Sequence, residues 1–521
     1  MSKNSTYDIA IIGSGLGGLA CGSILSQRGY KVVVLEKHYQ IGGCLQHFKR
    51  KGVLFDTGMH YIGSYEDGQI LNTLFRYFDI YDKIDASKLD EDGFDILNIG
   101  GEQFSIPQGV ERFKQKLVLQ FPGEEKAIGL YFQKLQEIYD AVDVLNLRDM
   151  PTDDLPRKKG LDENVYDFVA SITQNTDLQN ILCGLNSLYA GKKESATMFI
   201  HSIINLFYLQ SAWKLEKGGG QIAEAFKTVI EQHGGKVFTK SKVTQLLCED
   251  GCVSMLKLAS GDEIKAKKYI SDIDPLTTME MLEGANIRKV FLRRLKDQEQ
   301  TISCFSVYIA LKANSFKYLN ANYYFYREND VWALDSYSEQ NWPQGYMVYS
   351  NESQTDKGYA ESLTILTPME YAEMTEWEDT SIGQRGTGYE EMKKQKAEQL
   401  IQALEKQFPD IRNCIEAIYT SSPLTYRDYT GVRRGAMYGV LTDSRNPYDS
   451  QIMPKTRVRN LFLTGQNINM HGVLGVSIAA LLTCGEIEGI NNLLKDVRKH
   501  KVSTCSLEER EVQDENLGFK E

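Results

Sequence analysis

No uninterrupted apolar run of about 18 residues occurs in the chain, so a membrane-spanning helix is not expected. The nearest approach, Met198 to Leu215, is broken by His201, Asn205 and Gln210; it reads as a buried helix, a wall of an apolar substrate channel, or a helix dipping into a bilayer. A basic excess is also missing. The formal charge of -11 argues against a nucleic-acid partner and against adhesion to anionic lipid by charge alone, so any peripheral membrane contact would be apolar. The nine cysteines are an odd number with no CxxC pair, and Cys248 and Cys252 are the only close pair. Neither a metal site nor a disulfide framework is expected, and the chain reads as one kept reduced. Met1 to Thr6 is too short and polar for a signal peptide, which makes a cytoplasmic location the expectation.

What the chain does carry begins at once. An apolar strand (Ile9, Ala10, Ile11, Ile12) runs into Gly13-Ser14-Gly15-Leu16-Gly17-Gly18, then a small-residue helix, then Lys31-Val32-Val33-Val34-Leu35-Glu36. Strand, glycines, helix and acidic strand end stand in the register of a βαβ dinucleotide-binding fingerprint. Gly13 suits the tight turn, Gly15 lets backbone approach a pyrophosphate, and Gly18 lets the helix lie close on the sheet. The free amides opening the helix would hold the phosphates. Glu36, about 20 residues after the glycines, can accept from a ribose hydroxyl pair and would repel a 2′-phosphate, so FAD or NAD is expected and NADP is not.

At 521 residues the chain exceeds what one core usually organises, and two domains are expected. Helical stretches from about Val110 to Val144 end in a polar break with Pro151 and Pro156. Nucleotide-domain character returns near Lys217: Gly218-Gly219-Gly220 precedes a helix, and Lys236-Val237-Phe238 begins a strand read as continuing into Val243 to Leu247. Hairpin strands follow around Gly251 and Gly261. Thr301 to Pro368 alternates in aromatic-rich strands that read as a separate sheet, and an amphipathic helix spans about Tyr389 to Gln407. The last unit is an apolar strand ending at Gly465, followed by a second glycine-rich helix start at Gly472 and Gly475. The charged tail from about Arg498 reads as disordered.

With these segments in view, the chain resembles the phytoene desaturase, carotenoid isomerase and retinol saturase family of FAD-dependent oxidoreductases, and within it the retinol saturase branch. The resemblance rests on Ile11 to Ala20, Gly42-Gly43-Cys44, Phe55-Asp56-Thr57-Gly58-Met59-His60-Tyr61-Ile62-Gly63, Ser271 to Pro275, Ser422 to Tyr426, Gly435 to Gly439 and Leu463-Thr464-Gly465-Gln466. It implies an α/β fold: a discontinuous Rossmann-like FAD-binding domain with a parallel sheet (1–80, 215–280, 455–497) and an α+β substrate domain with a mixed or antiparallel sheet (81–214, 281–454), followed by the tail 498–521. It also implies cofactor contacts at Gly13, Ser14, Gly15, Gly17, Gly18, Glu36, Lys37, Gly42, Gly43, Cys44, His60, Val243, Gly465, Gln466, Gly475 and Val476. Of these, Gly42 and Gly43 would lie beside the pyrophosphate and Val243 would set its backbone against adenine. Amine oxidases of the same broad fold usually carry arginine after the paired glycines, where Cys44 stands here.

The expected activity is saturation, desaturation or isomerisation of double bonds in an apolar polyene, retinoid or carotenoid-like, with hydride passing through flavin N5. His60 and Tyr61 are the candidate proton carriers, with His471 a further one. No second GxGxxG with an acidic strand end follows, so the electron donor or acceptor is left open. Two alternatives stand beside this reading: a non-catalytic carrier or escort of prenyl or other apolar chains on the same fold, and a flavin amine oxidase.

Overall fold

The computed structural model describes residues 6–151, 158–468 and 470–502. Most of the tail expected to be disordered, 503–521, and Pro156 of the expected polar break lie outside the described residues; Arg498 itself closes the helix Ile490–Arg498.

Two large sheets organise the chain. The first is eight-stranded and begins from Thr6–Ile12 and Val32–Leu35, whose side chains are almost all buried, the near-continuous apolar pattern of parallel strands covered on both faces. Lys236–Phe238 pairs with Val32–Leu35, Val32–Leu35 with Thr6–Ile12, Thr6–Ile12 with Glu263–Ser271, and the end of that strand with Leu461–Leu463, all parallel. Segments far apart in sequence thus share one sheet, and the Gly13 and Gly465 turns leave from its same end. The long strand Glu263–Ser271 also pairs at its start with the hairpin Val243–Glu249 and Cys252–Leu258.

One strand expected as continuous is two. Lys236–Phe238 and Val243–Glu249 have different neighbours, and the chain between them turns through Lys240 at φ 53°. Lys240 donates its amide to the His38 carbonyl and Ser241 donates its amide to that of Glu36, so the turn is tied to the end of the neighbouring strand.

The helix Leu16–Gln27 is buried along nearly its whole length. Its small residues let two other helices, Gly220–Gln232 and Gly472–Glu488, pack against it. A Cβ on Gly22 would stand 2.8 Å from Ile230 Cδ1, too close to accommodate without a shift.

The second sheet is seven-stranded and mixed, in the order Ile415–Ser421, Ser303–Leu311, Ala360–Met369, Gly345–Glu352, Asn322–Tyr326, Asp95–Ile99, Glu102–Ile106. Every pair is antiparallel except Asn322–Tyr326 with Asp95–Ile99. The aromatic strands expected between Thr301 and Pro368 are here. Asp95–Ile106 and Ile415–Ser421 join them from distant sequence, which no local pattern announces. The helix Gly386–Glu405 covers one face through Tyr389, Ala397, Leu400, Ile401 and Leu404.

Met198–Gln210 forms a helix, after which Ala212–Leu215 is a strand pairing with Ile62–Gly63 and Ala86–Lys88. Thr197 caps the helix, its hydroxyl oxygen accepting from the Ile200 amide. The polar residues interrupting this apolar run are satisfied inside the fold. The Tyr131 hydroxyl donates to the Leu182 carbonyl (2.9 Å) and so accepts from His201 Nε2–H (2.8 Å), while Tyr189 donates to His201 Nδ1 (2.9 Å). Among the described residues, no helix is long and apolar enough to cross a membrane.

Candidate functional site

The turn between the first strand and first helix is set by backbone geometry. Gly13 adopts φ +95°, a left-handed value that favours glycine, and donates its amide to the Leu35 carbonyl at 2.9 Å. A Cβ on Gly18 would run into the Gly13 carbonyl oxygen, so a side chain there would push the helix off the turn. The Ser14 amide (3.0 Å) and hydroxyl (2.6 Å) both donate to Glu36 Oε2, and the His38 amide donates to Glu36 Oε1 at 2.8 Å. Glu36, 7 % exposed, is thereby aimed across the turn with lone pairs left on both oxygens.

These residues form one end of a cavity of about 500 Å³. Gly13, Ser14, Gly15, Gly17, Glu36, Lys37, Gly42, Gly43, Cys44, His60, Tyr61, Val243, Gly465, Gln466, Gly475 and Val476 all border it, as does His471. Gly18 alone among the expected residues stands behind the turn rather than on the wall. The other end is apolar: Leu188, Ile200, Ile203, Ile204, Phe207 and Tyr208 line it, joined by Met437, Tyr438 and Met470. The helix Met198–Gln210 therefore supplies a channel wall. On this wall Phe207 is only 5 % exposed.

Asp272 is a site residue to which the sequence reading gave no role. Its carboxyl presses on the glycine turns: a Cβ on Gly15 would lie 2.5 Å from Oδ2, and one on Gly465 2.5 Å from Oδ1. Burial pushes its pKa up to about 7, against the opposing pull of the Gly18 and Gly15 amides. Near neutral pH it therefore carries less than a full charge beside a place suited to phosphate. The signal was an Asp two residues ahead of the Asp274-Pro275 helix start, which only the tertiary fold turns toward the glycines; Asp274 itself caps that helix by accepting from the Thr277 amide. Cys44, which borders the same end, has its thiol pushed up to about 11 by burial and then by Asp272, so it is a neutral apolar group and not a nucleophile.

The aromatic wall is stacked. His60 lies between Tyr61 (centroids 5.1 Å apart) and Tyr349 (5.0 Å), and Tyr61 lies against Tyr208 (4.2 Å, planes 24° apart). Burial, and then the Lys214 ammonium, hold the His60 pKa down to about 3, so its imidazole is neutral and is no source of an acidic proton at ordinary pH. His60 Nε2 and His471 Nε2 are both buried without a hydrogen-bond partner. Unsatisfied polar atoms on a cavity wall are places where a bound molecule supplies the missing partner.

A flavin dinucleotide fits this arrangement. Amides at the starts of Leu16–Gln27 and Gly472–Glu488 face one cavity, the glycine turns leave no room for side chains, Glu36 keeps acceptor capacity for a ribose, and two orphaned imidazole nitrogens wait where the cavity turns apolar.

Residues 11–78 match the family model of an NAD(P)-binding Rossmann-like domain. Over 525 aligned residues the chain is 29 % identical to an all-trans-retinol 13,14-reductase of Danio rerio, covering 92 % of this chain and 85 % of that protein. It is 24 % identical to the chloroplastic prolycopene isomerase 1 of an Oncidium hybrid cultivar, covering 91 % and 83 % respectively. Among solved structures, cyclohexylamine oxidase from Brevibacterium oxydans IH-35A superposes with a TM-score of 0.58 at 16 % identity, over 92 % of this chain and 99 % of that one, a likeness of fold.

Proposed function

We propose that the chain belongs to the phytoene desaturase, carotenoid isomerase and retinol saturase family and is an FAD-dependent oxidoreductase acting on carbon–carbon double bonds of an apolar polyene, retinoid or carotenoid-like. The observation that carries this reading is the single cavity with a nucleotide-type end at Ser14 and Glu36 and an apolar end on Met198–Gln210.

When bound, FAD supplies hydride chemistry at N5. The protein's own residues do the rest. Glu36 would hold the adenosine ribose, Gly15, Gly17 and Gly465 would let backbone amides reach the pyrophosphate, and Val243 would border the adenine. Ile203, Ile204 and Phe207 exclude water and grip a substrate that has almost no polar handles. With His60 neutral, the Tyr61 hydroxyl is the remaining candidate for the proton that accompanies hydride in a saturation, although burial raises its own pKa well above the usual phenol value. An insoluble substrate also calls for peripheral contact with a bilayer, which co-sedimentation with liposomes would detect.

Anaerobic photoreduction of the purified protein, followed by addition of a retinoid or a carotenoid, tests the proposal. Reoxidation of a bound-flavin absorbance band by one of them is the expected result. A colourless protein that cannot be reconstituted with FAD would instead favour the apolar-chain carrier, and peroxide release on amines would favour the amine oxidase.

A further inference from the structure

Behind the Tyr61 wall lies a buried carboxyl that the proposed function leaves without a task. Asp95 opens the strand Asp95–Ile99 and is 0 % exposed. Its Oδ1 accepts from Asn322 Nδ2–H at 2.8 Å, and Asn322 stands opposite it in the parallel strand pair. Its Oδ2 is 3.0 Å from the Tyr61 hydroxyl, which is in turn 3.1 Å from the hydroxyl of Tyr324, two residues along the same face as Asn322. The titratable groups acting around Asp95 are the phenols of Tyr61, Tyr208, Tyr324 and Tyr326; no lysine or arginine among the described residues shifts it. A lone carboxylate so deeply buried is costly to keep charged, and burial accordingly raises its pKa to about 7.

We propose that Asp95 is the proton reserve of the site, storing a proton on Oδ2 and passing it to the Tyr61 hydroxyl as Tyr61 protonates the substrate. This rests on the reading of function given above. Because Oδ1 is committed to accepting from Asn322, the carboxyl proton belongs on Oδ2. There it donates to the Tyr61 oxygen and frees the Tyr61 O–H to donate elsewhere. In a saturation, the Tyr61 O–H bond breaks as the new C–H bond forms, and the Asp95 O–H bond breaks as the Tyr61 O–H is restored. Asp95 ends as a carboxylate and regains its proton from solvent. The electron pair arrives with the hydride given up by reduced flavin, so the alkene is reduced, the flavin is oxidised and the relay carries protons only. Run in reverse, the relay accepts the proton released in a desaturation. Asp95 is thus a positioning and proton-storing residue, and Tyr61 is the one that meets the substrate.

Asp95→Asn isolates the idea. The amide keeps the bonding pattern of the neutral acid, accepting from Asn322 and donating to Tyr61, but has no proton to give. Infrared titration of the flavin-loaded protein gives a readout independent of turnover. The wild-type minus Asp95→Asn difference spectrum, in which the bands of Asp56 and Asp272 cancel, should show a carboxylic C=O band that fades as pH rises through about neutral and is displaced in Tyr61→Phe. Asp95→Asn should keep its flavin and its KM while kcat falls at least about tenfold. Unchanged kcat in a flavin-replete Asp95→Asn overturns the relay, and so does a wild-type minus Asp95→Asn difference spectrum with no titrating carboxylic band. If Asp95→Asn does not fold, the band in Tyr61→Phe decides: no displacement overturns the contact on which the relay depends. Wild-type protein whose reduced flavin no polyene reoxidises overturns the proposed function and proton delivery with it, whereas an infrared-silent Asp95 beside normal turnover overturns the relay alone.

Discussion

Ser14 gives both its donors, the backbone amide at 3.0 Å and the hydroxyl at 2.6 Å, to the same oxygen of Glu36. The acid at the end of one strand is thereby locked to the turn at the end of its neighbour, and this end of the cavity is held in place by the protein's own hydrogen bonds. Glu36→Gln puts an amide NH₂ either against these donors or against the His38 amide, leaving a donor facing a donor. FAD affinity of the deflavinated protein, read by quenching of flavin fluorescence, should fall about tenfold or more, with melting temperature little changed.

Asp272 should make cofactor binding depend on pH. Its pKa is raised to about 7, so it is protonated below that value and gains a negative charge beside the glycine turns above it. The Kd for FAD should therefore rise as pH increases through about 7. Asp272→Asn should flatten that profile; an identical slope in the variant would remove Asp272 as its cause.

Buried histidines set a sensitivity to acid. Burial holds the pKa of His201 down to about 3 and that of His471 to about 4, and burial with Lys214 holds that of His60 to about 3, all below the ordinary 6.5. Between those values and 6.5 the unfolded chain binds more protons than the folded one, so these residues make stability rise with pH across that window. Asp56, Asp95 and Asp272 act in the opposite sense: raised to about 6, 7 and 7 from 3.8, they keep protons in the folded state and lower stability as pH rises through the same range. His201→Asn should be less stable than the wild type near neutral pH, having lost its bonds to Tyr131 and Tyr189, yet its denaturant midpoint should fall less between pH 6.5 and 4.

Phe207 distinguishes a channel wall from a membrane mouth. Phe207→Asp would bury an unpaired carboxylate, and the expected outcome is loss of folded protein rather than selective loss of liposome binding. Phe207→Ala should cost up to about 3 kcal/mol, the low end for a buried ring because one side borders a cavity. It should keep its flavin and raise KM for a polyene. Thermal melts and steady-state kinetics separate the two effects.

Much of the nucleotide end was legible in the sequence because its determinants are local. Gly13, Gly18, Val32 to Leu35 and Glu36 act within a single βαβ unit, where each residue's demand follows from its neighbours in the chain. The aromatic strands between Thr301 and Pro368 were legible for the same reason. Asp272 was not, since a carboxylate reads as solvent-facing until the fold turns it onto the Gly15 and Gly465 turns. Nor was Asp95, which sits in an unremarkable Phe94-Asp95-Ile96 stretch and gains meaning only where its strand meets Asn322–Tyr326 and where Tyr61 arrives from another segment. The continuous strand read from Lys236 to Leu247 failed because apolar alternation does not report a change of partner.

The sequence by itself determined the glycine turn, the acid at the end of the second strand and the presence of an apolar helix, because backbone sterics and short-range periodicity fix these. Tertiary structure alone decided that this helix lines the cavity, that burial keeps the His60 imidazole neutral, and that Asp95 stands behind Tyr61. Those outcomes depend on desolvation and on contacts between residues hundreds of positions apart, and the free energy of a charge or a hydrogen bond is set by what surrounds it in space.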